Sequence, residues 1–269
     1  MKIQKATVTT TIKGKRIMKT KCSIALMVAA VALLAFSLPV HASKMDDQIV
    51  SSAKKSYVFK NYLKDDDIKI QSKDGAVTLT GTVSQESHKT LARETVAGLS
   101  GVKTVDNRLE VKGAPLAATN SDAWLVTKVK TTLLFHSSVS ASATEVNAKD
   151  GIVTLRGDAA SQAQKDLTTE YAKDVDGVKD VKNEMVVAKP SKQTQTTGDK
   201  IDDASITGLA KMTLLYHRST SGLNTSVTTK NGVVTLTGKA KNAAEKDLAT
   251  KYVNDVKGVK SVKNQMTIE

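Results

Sequence analysis

The chain has 269 residues and a formal net charge of +13, and only 3% of its residues are aromatic. Nine aromatic side chains are too few for one large core, so several small cores of Val, Leu and Ala are expected. The single cysteine, Cys22, excludes a disulfide framework and any metal or redox site that needs two thiolates.

The first segment of the chain, residues 1–42, has the layout of a secretory signal peptide. It contains seven Lys or Arg and no Asp or Glu, and it includes an apolar run from Ile24 to Leu38. This run is short for a bilayer span of about 20 residues. Cleavage after Ala42 and export to the periplasm are therefore predicted, with Met18 as an alternative start. An uncleaved membrane anchor is the competing interpretation.

Removal of this segment lowers the net charge of the chain. The remaining residues include 33 basic and 27 acidic side chains, a net charge of +6. They contain no Lys/Arg-rich run interleaved with the stacking aromatics that a single-strand binder would need. Nucleic acid is therefore not predicted to be a partner.

One sequence motif occurs three times. Its copies are Asp-Gly-Ala-Val-Thr-Leu-Thr-Gly at 74–81, Asp-Gly-Ile-Val-Thr-Leu-Arg-Gly at 150–157 and Asn-Gly-Val-Val-Thr-Leu-Thr-Gly at 231–238. In every copy a Gly-Val pair lies 26 residues after the first glycine, and a Val-x-Asn-x-[Leu/Met] tail follows. Repetition at identical spacing indicates repeated structural units.

Each unit is long enough to be a small domain. The predicted domains are residues 44–112, 121–189 and 200–269, joined by exposed linkers at 113–120 and 190–199. Each linker contains one of the two prolines that follow the signal segment, Pro115 or Pro190.

The apolar spacing predicts the same elements in each copy. Ser121 and Asp122 favour a helix start before Leu125, Val129 and Leu133, which recur at helical spacing. In the first copy the matching helical positions are Ile49, Ala53, Tyr57 and Val58. Asp-Gly or Asn-Gly then predicts a tight hairpin turn. A second helix, ended by Gly101, Gly177 or Gly258, leads to a last strand. The fold class is therefore α+β, as three tandem αββαβ sandwich domains, each a three-stranded sheet with two helices on one face.

The hairpin motif, the Gly-Val pair and the last-strand motif together resemble the BON domain family, which is named for bacterial osmotically induced and nodulation proteins. The resemblance covers almost all of the chain after residue 42, three times over. It implies an envelope-stress or osmotic-stress role, with domains proposed to attach to phospholipid membranes, and it does not imply an enzyme. Members made only of such domains usually have two, so the third copy is a departure.

If the repeated unit were catalytic, we would expect a reactive group at the same position of every copy. The shared polar positions are a turn residue, a strand threonine and the asparagine Asn107, Asn183 or Asn264. We interpret the asparagine as a side chain that satisfies backbone groups. His136 and His217 align after the first helix, where one histidine per domain favours a helix C-terminal cap over a metal site. No catalytic residue, metal site, cofactor or small-molecule substrate is predicted.

Trp124 is the main candidate for contact with a membrane. It precedes Leu125 on the first helix of the second copy, and Lys128 and Lys130 follow it. Indole rings favour the headgroup level of a bilayer, and lysines are attracted to anionic lipid. Packing of Trp124 against a neighbouring domain or a linker is the alternative. Lys211 and Arg218 of the third copy are weaker lipid-binding candidates.

The sequence therefore predicts a non-enzymatic periplasmic protein that attaches peripherally to anionic phospholipid membranes under envelope or osmotic stress. The competing hypothesis is a soluble periplasmic protein of chaperone or scaffolding type that binds client proteins. Salt and anionic lipid distinguish the two hypotheses, because screening weakens electrostatic attachment.

Overall fold

The structure, a computed structural model, describes residues 44–112, 121–188, 200–220 and 222–269. These residues belong to one compact unit, Ala42–Glu269. The predicted signal segment and both predicted linkers lie outside the described residues.

The first domain follows the predicted order of elements, except that its first helix is divided in two. Its elements are α1 (Lys44–Lys55), α2 (Tyr57–Asn61), β1 (Asp67–Lys73), β2 (Ala76–Val83), α3 (Glu86–Ala97) and β3 (Thr104–Val111). Strand β2 lies in the centre of the sheet, antiparallel to β1 and parallel to β3. Helix α3 makes the crossover that a parallel pair requires.

The second and third domains repeat this plan, with the last strand of each interrupted once. The second domain contains α4 (Asp122–Phe135), β4 (Thr144–Lys149), β5 (Ile152–Ala159), α5 (Gln162–Lys173), β6 (Asp180–Asn183) and β7 (Val186–Val187). The third domain contains α6 (Asp203–Tyr216), β8 (Thr225–Lys230), β9 (Val233–Ala240), α7 (Ala243–Asn254), β10 (Ser261–Asn264) and β11 (Thr267–Ile268). The α+β class and the three tandem αββαβ units are confirmed.

The hairpin turns have the geometry that their sequences predict. Asp74, Asp150 and Asn231 each have φ of 54°, and the glycine that follows each one also has a positive φ. Two consecutive left-handed residues match the twist of the flanking strands, and Asp-Gly or Asn-Gly adopts them at low cost. The turn prediction is confirmed in all three domains.

The predicted stop of the second helix was wrong by about one turn. Helix α5 ends at Lys173, and its C-cap is Asp174, not Gly177. Gly177 has φ of 96° in the turn that leads to the last strand. The helix ends four residues before this glycine in every domain, since α3 ends at Ala97 and α7 at Asn254. In the second domain the Asp174 carbonyl oxygen accepts a hydrogen bond from Arg218 N at 2.8 Å.

Contacts with the third domain accompany the break between α1 and α2. The first copy was predicted to continue helically through Tyr57 and Val58, but Ser56 interrupts it with φ −62° and ψ 152°. Tyr57 N donates to Asp202 Oδ2 at 2.7 Å, and Val58 N donates to Ser205 Oγ at 3.0 Å. The N–H groups that a continuous helix would use internally therefore bind the start of α6.

The three domains pack against one another and do not stand apart. Alongside residues of the first domain, the first apolar core contains Leu209, Met212 and Tyr216 of α6, and Phe135 of α4. The opposite side of α6 contributes Ile206, Ala210 and Leu214 to the core of the third domain. Helix α6 is therefore buried between two domains.

Candidate functional site

A repeated aspartate fixes the start of the first helix in every domain. In the second domain, Asp122 Oδ2 accepts a hydrogen bond from Asp150 N at 2.8 Å, and Oδ1 accepts one from Gly151 N at 2.9 Å. The backbone N–H groups of Gly151 and then Asp150 lower the pKa of this carboxyl below its ordinary value. The matching aspartates of the other two domains, Asp46 and Asp203, accept the same pair of bonds from their hairpins. The hairpin therefore holds the helix start that carries Trp124.

Trp124 lines an open groove of about 520 Å³ at the start of α4. The Lys128 ammonium lies 5.8 Å from the centre of the Trp124 ring, within the range of a cation–π contact. The same ammonium donates to Asp176 Oδ2 at 3.0 Å and to the Asp176 carbonyl oxygen at 3.1 Å. Lys179 also lines the groove, and its ammonium donates to the Asp150 carbonyl oxygen at 3.0 Å. An aromatic face and two ammonium groups thus converge beside a helix N-terminus.

The five predicted lipid contacts do not form one site. Trp124 and Lys128 share one face, and Lys130 is exposed on the same helix. Lys211 instead forms an ion pair with Glu94 of the first domain, with its Nζ atom 2.9 Å from Oε2. The side chain of Arg218 contacts the second domain, where Nη1 donates to the Val178 carbonyl oxygen at 3.1 Å.

Helices α4 and α6 occupy equivalent places in their domains, but only α6 has its outer face covered by the first domain. The covered face of α6 includes Ser205, Gly208 and Lys211, which contact residues of α2 and α3. The equivalent positions on α4 are Trp124, Thr127 and Lys130, and they are half-buried or exposed. Of these three positions, Trp124 and Thr127 differ from their counterparts on α6, and both lie on the open face of α4.

The repeated asparagine has the structural role that we expected. Asn183 Nδ2 donates to the Lys165 carbonyl oxygen at 2.9 Å, and Oδ1 accepts from Met185 N at 2.9 Å. Asn107 and Asn264 make the matching bonds in the first and third domains. The amide links the last strand to the second helix, so this prediction is confirmed.

A buried cluster between the second and third domains was not predicted. His136 Nε2 and His217 Nε2 are 3.2 Å apart, and both side chains are fully buried. His217 Nδ1 lies 3.1 Å from Asp174 Oδ2, and His136 Nδ1 lies 3.2 Å from Asp255 Oδ2. Each histidine thus faces the aspartate of the other domain. Both histidines are helix C-caps, as the sequence predicted. Both also bind across the interface between the two domains.

Two tyrosines complete the cluster with the same reciprocal pattern. The His136 ring stacks on Tyr171 with centroids 3.9 Å apart, and Tyr171 Oη donates to Asp255 Oδ2 at 2.7 Å. The His217 ring stacks on Tyr252 at 4.0 Å, and Tyr252 Oη donates to Asp174 Oδ2 at 2.9 Å. Equivalent residues of the two domains therefore exchange equivalent contacts, as in a two-fold symmetric dimer.

The electrostatics of the cluster keep its carboxyl groups ionised. Burial raises the pKa of Asp255, but contacts from His136, from two serine hydroxyls and from Tyr171 reverse this effect and hold the pKa below its ordinary value. The pKa of Asp174 is lowered in the same way, with His217 as the main opposing contact. Burial lowers the pKa of His217, with His136 acting in the same direction and Asp174 against it.

The sequence contained a signal for this cluster. His136 and His217 are separated by 81 residues, and Tyr171 and Asp174 recur at the same separation as Tyr252 and Asp255. The first copy has Lys60 and Thr95 in place of the histidine and the tyrosine. Polar and aromatic residues that two copies share and the third lacks indicate a contact between those two copies.

Within the described ranges, no cluster of three or more His, Cys, Asp or Glu side chains could hold a metal ion. In the same ranges, no helix is both long enough and apolar enough to cross a membrane.

Comparison with known proteins agrees with this architecture. A family model described as BON domain matches residues 45–113, 121–189 and 202–269. Osmotically-inducible protein Y of Escherichia coli (strain K12) is 33% identical over 145 residues, which are 52% of this chain and 72% of that protein. Outer membrane lipoprotein DolP of Haemophilus influenzae is 32% identical over 111 residues, which are 41% of this chain and 57% of DolP. The 21 kDa hemolysin of Actinobacillus pleuropneumoniae is 29% identical over 146 residues, which are 52% of this chain and 73% of the hemolysin.

The repeated fold and the contacts between domains define a tandem-repeat protein in which one small α+β unit occurs three times. The chain belongs to the BON domain family, and all three of its units match.

Proposed function

We propose that this chain is a non-enzymatic periplasmic protein of the envelope-stress or osmotic-stress response, which attaches peripherally to anionic phospholipid through the second domain. The observation that carries the proposal is the open face of α4. There Trp124 and Lys128 line one groove and Lys130 is exposed, whereas the first domain covers the equivalent face of α6.

The chemistry of this face suits the surface of a bilayer. An indole ring inserts at the headgroup level, and each basic side chain near an anionic surface contributes about 1 kcal/mol of attraction. The Lys128 side chain is 13% exposed and its ammonium is shared with Asp176, whose side chain is 69% exposed, so a lipid phosphate would bind Lys128 by displacing the Asp176 carboxylate. We therefore assign the lipid contact to Trp124, Lys128 and Lys130. Lys211 and Arg218 have protein partners, so we propose that they serve the domain interfaces instead.

The names of the relatives support the location and the response. One relative is described as osmotically inducible and another as an outer membrane lipoprotein. The signal segment proposed for residues 1–42 would deliver the chain to the same side of the inner membrane.

Vesicle co-flotation of residues 42–269 tests the proposal, because these residues form the compact unit that contains all three cores. Vesicles of phosphatidylcholine alone are compared with vesicles that contain phosphatidylglycerol, at low and high salt. We expect flotation with the anionic vesicles at low salt, and we expect Trp124→Ala and Lys130→Ala to weaken it. Lys263→Ala, which removes an exposed charge from the last strand of the third domain, is the matched control. Flotation that does not change with lipid charge, with salt concentration or with Trp124→Ala would contradict the proposed site.

The binding of client proteins is the second candidate function, and exposed apolar side chains favour it. Val186 and Val187 are 64% and 44% exposed on the last strand of the second domain, and Ile268 is 52% exposed at the matching place in the third. If no vesicle binds the chain, suppression of the aggregation of an unfolded reporter protein is the assay that this alternative predicts. Val186→Lys would then reduce the suppression.

A further inference from the structure

The contact between the second and third domains is a joint built from two helix ends and the turns that follow them. Ser137 N donates to the Asp255 carbonyl oxygen at 2.8 Å, and Arg218 N donates to the Asp174 carbonyl oxygen at 2.8 Å. Lys257 N donates to the Phe135 carbonyl oxygen at 3.0 Å, which continues the same pattern. These backbone bonds surround the His136–His217 pair, so the pair lies at the centre of the joint.

The hydrogen bonds assign the protons on the two imidazole rings. Asp174 is ionised and can only accept, so the Nδ1 atom of His217 carries a proton and donates to it. In a neutral His217 ring, Nε2 then accepts a hydrogen bond from His136 Nε2 across 3.2 Å. Asp255 is ionised as well and its Oδ2 atom lies 3.2 Å from His136 Nδ1, so by the same reasoning this nitrogen carries a proton and faces the carboxylate.

A first and a second proton between the two Nε2 atoms therefore act differently. One proton on His136 Nε2 makes that ring an imidazolium that faces the Asp255 carboxylate and donates to His217. A proton on His217 Nε2 places two N–H groups and two positive charges head to head across 3.2 Å in a buried site. The first proton strengthens the joint and the second opposes it, because like charges at short range in a low-dielectric interior repel strongly.

Other charged and titratable groups also face the pair or its aspartates. From the second domain these are Asp174, Tyr171 and Glu170, and from the third they are Asp255, Tyr252, Arg218 and Lys257. The two carboxylates already bind hydroxyl groups, from Tyr171, Ser137 and Ser138 on Asp255, and from Tyr252 and Ser219 on Asp174. Among the residues that the structure describes, no carboxylate is therefore directed at the space between the two Nε2 atoms, where the second proton would enter.

We propose that the His136–His217 pair is a proton sensor that locks the second domain to the third at neutral pH and releases it in acid. The release changes the position of the second domain, which carries the Trp124 face. The sensor does not depend on the function of that face, because its geometry is internal to the joint.

The direction of the pH dependence follows from linkage. His217 has a pKa below its ordinary value of about 6.5 when the joint is closed, mainly because of burial. The open state binds this proton more readily, so closure is fully stable above the ordinary value and loses stability as the pH falls from there through the lowered pKa. Acid therefore favours opening.

Histidine NMR titration of residues 42–269 tests the proton assignment without any substitution. This unit contains only three histidines, of which His88 lies outside the joint. We expect the His217 ring to titrate below pH 6.5, because burial lowers its pKa. Titration of the His217 ring at or above its ordinary value would overturn the proposal.

A distance measurement tests the opening itself. No cysteine occurs in residues 42–269, so Lys182→Cys and Lys263→Cys place two spin labels at equivalent exposed positions of the two domains. We expect one narrow distance distribution at pH 7.5 and a reversible broadening or lengthening at pH 5. His217→Gln places an amide at this position, which can still form hydrogen bonds but cannot take up the proton, so this variant should keep the narrow distribution at both pH values. His88→Gln, the matched control, should open as the native chain does.

Two results would contradict the sensor. One is an unchanged distribution in the native chain from pH 7.5 to pH 5, and the other is acid opening of His217→Gln equal to that of the native chain. If His217→Gln lacks the narrow distribution at pH 7.5 because it cannot close, the native chain still decides the question through its own distances and its histidine titration.

Discussion

Gly208 of α6 and Thr95 of α3 lie in direct contact where the third domain meets the first. A Cβ atom on Gly208 would stand 2.5 Å from the Thr95 hydroxyl oxygen and 3.1 Å from its backbone nitrogen. The glycine is in mid-helix, where it costs stability relative to alanine, so its place here is explained by the close approach of the two helices.

Gly208→Ala should therefore destabilise the protein, although alanine favours a helix. Helix propensity alone predicts a gain of about 1 kcal/mol. The overpacking should outweigh it and cost about 1–3 kcal/mol in the free energy of unfolding. Urea unfolding measures the difference. Thr95→Ala in the same chain removes the nearest atom and should recover part of the loss, whereas equal effects with and without Thr95→Ala would refute the contact as the cause.

Asn183→Ala should lower the free energy of unfolding by about 1–3 kcal/mol, because the Lys165 carbonyl oxygen and Met185 N would lose their partner. Urea unfolding again gives the value. Lys182→Ala, at the exposed neighbouring position, is the control and should change stability little. A loss no larger than that of the control would show that the repeated amide is dispensable.

Asp122→Asn should flatten the acid limb of the stability curve. The native pKa of Asp122 is lowered, so its carboxylate stabilises the fold above the unfolded-state value of about 3.9. That stabilisation is lost as the pH falls through the lower native pKa. Thermal melting between pH 5 and pH 2 should show a smaller decline for Asp122→Asn than for the native chain. Exposed Asp158→Asn should follow the native decline, and an identical slope for all three would disprove the role of the hairpin bonds.

Asp255→Asn should destabilise the joint by about 2 kcal/mol, because hydrogen bonds to a carboxylate are worth more than those to a neutral amide. The lost bonds come from the second domain, where Tyr171 and Ser137 donate to this side chain. We therefore expect hydrogen exchange to speed up in the last turn of α4 and in α5 as well as in α7. Faster exchange confined to the third domain would mean that the carboxylate does not bridge the domains.

Turns and side-chain contacts could be predicted where the residues that cause them are close in sequence or in the same sheet. The Asp150-Gly151 turn follows from residues that adopt left-handed backbone at low cost, and the Asn183 role follows from its place on the last strand. Both depend on neighbours that are close in sequence or in the same small sheet.

The packing between domains was not predictable, because it depends on side chains far apart in sequence. The N–H groups of Tyr57 and Val58 could not be assigned to α6 from their own segment, which continues the helical pattern. Lys211 was predicted to be a weaker lipid contact, because nothing near it in sequence reveals Glu94 of the first domain. The reciprocal histidine and aspartate positions did carry a usable signal, since two copies share them and the first does not.

The contribution of α6 to the first core also has a consequence for biosynthesis. Leu209 and Met212 complete the packing of a domain whose own residues end near position 112. A ribosome makes that domain first and α6 much later. The first core therefore lacks Leu209 and Met212 until residues 203–216 have emerged. The order of synthesis thus delays the final closure of the fold, which suits a protein that crosses a membrane before it folds, as we propose for this chain.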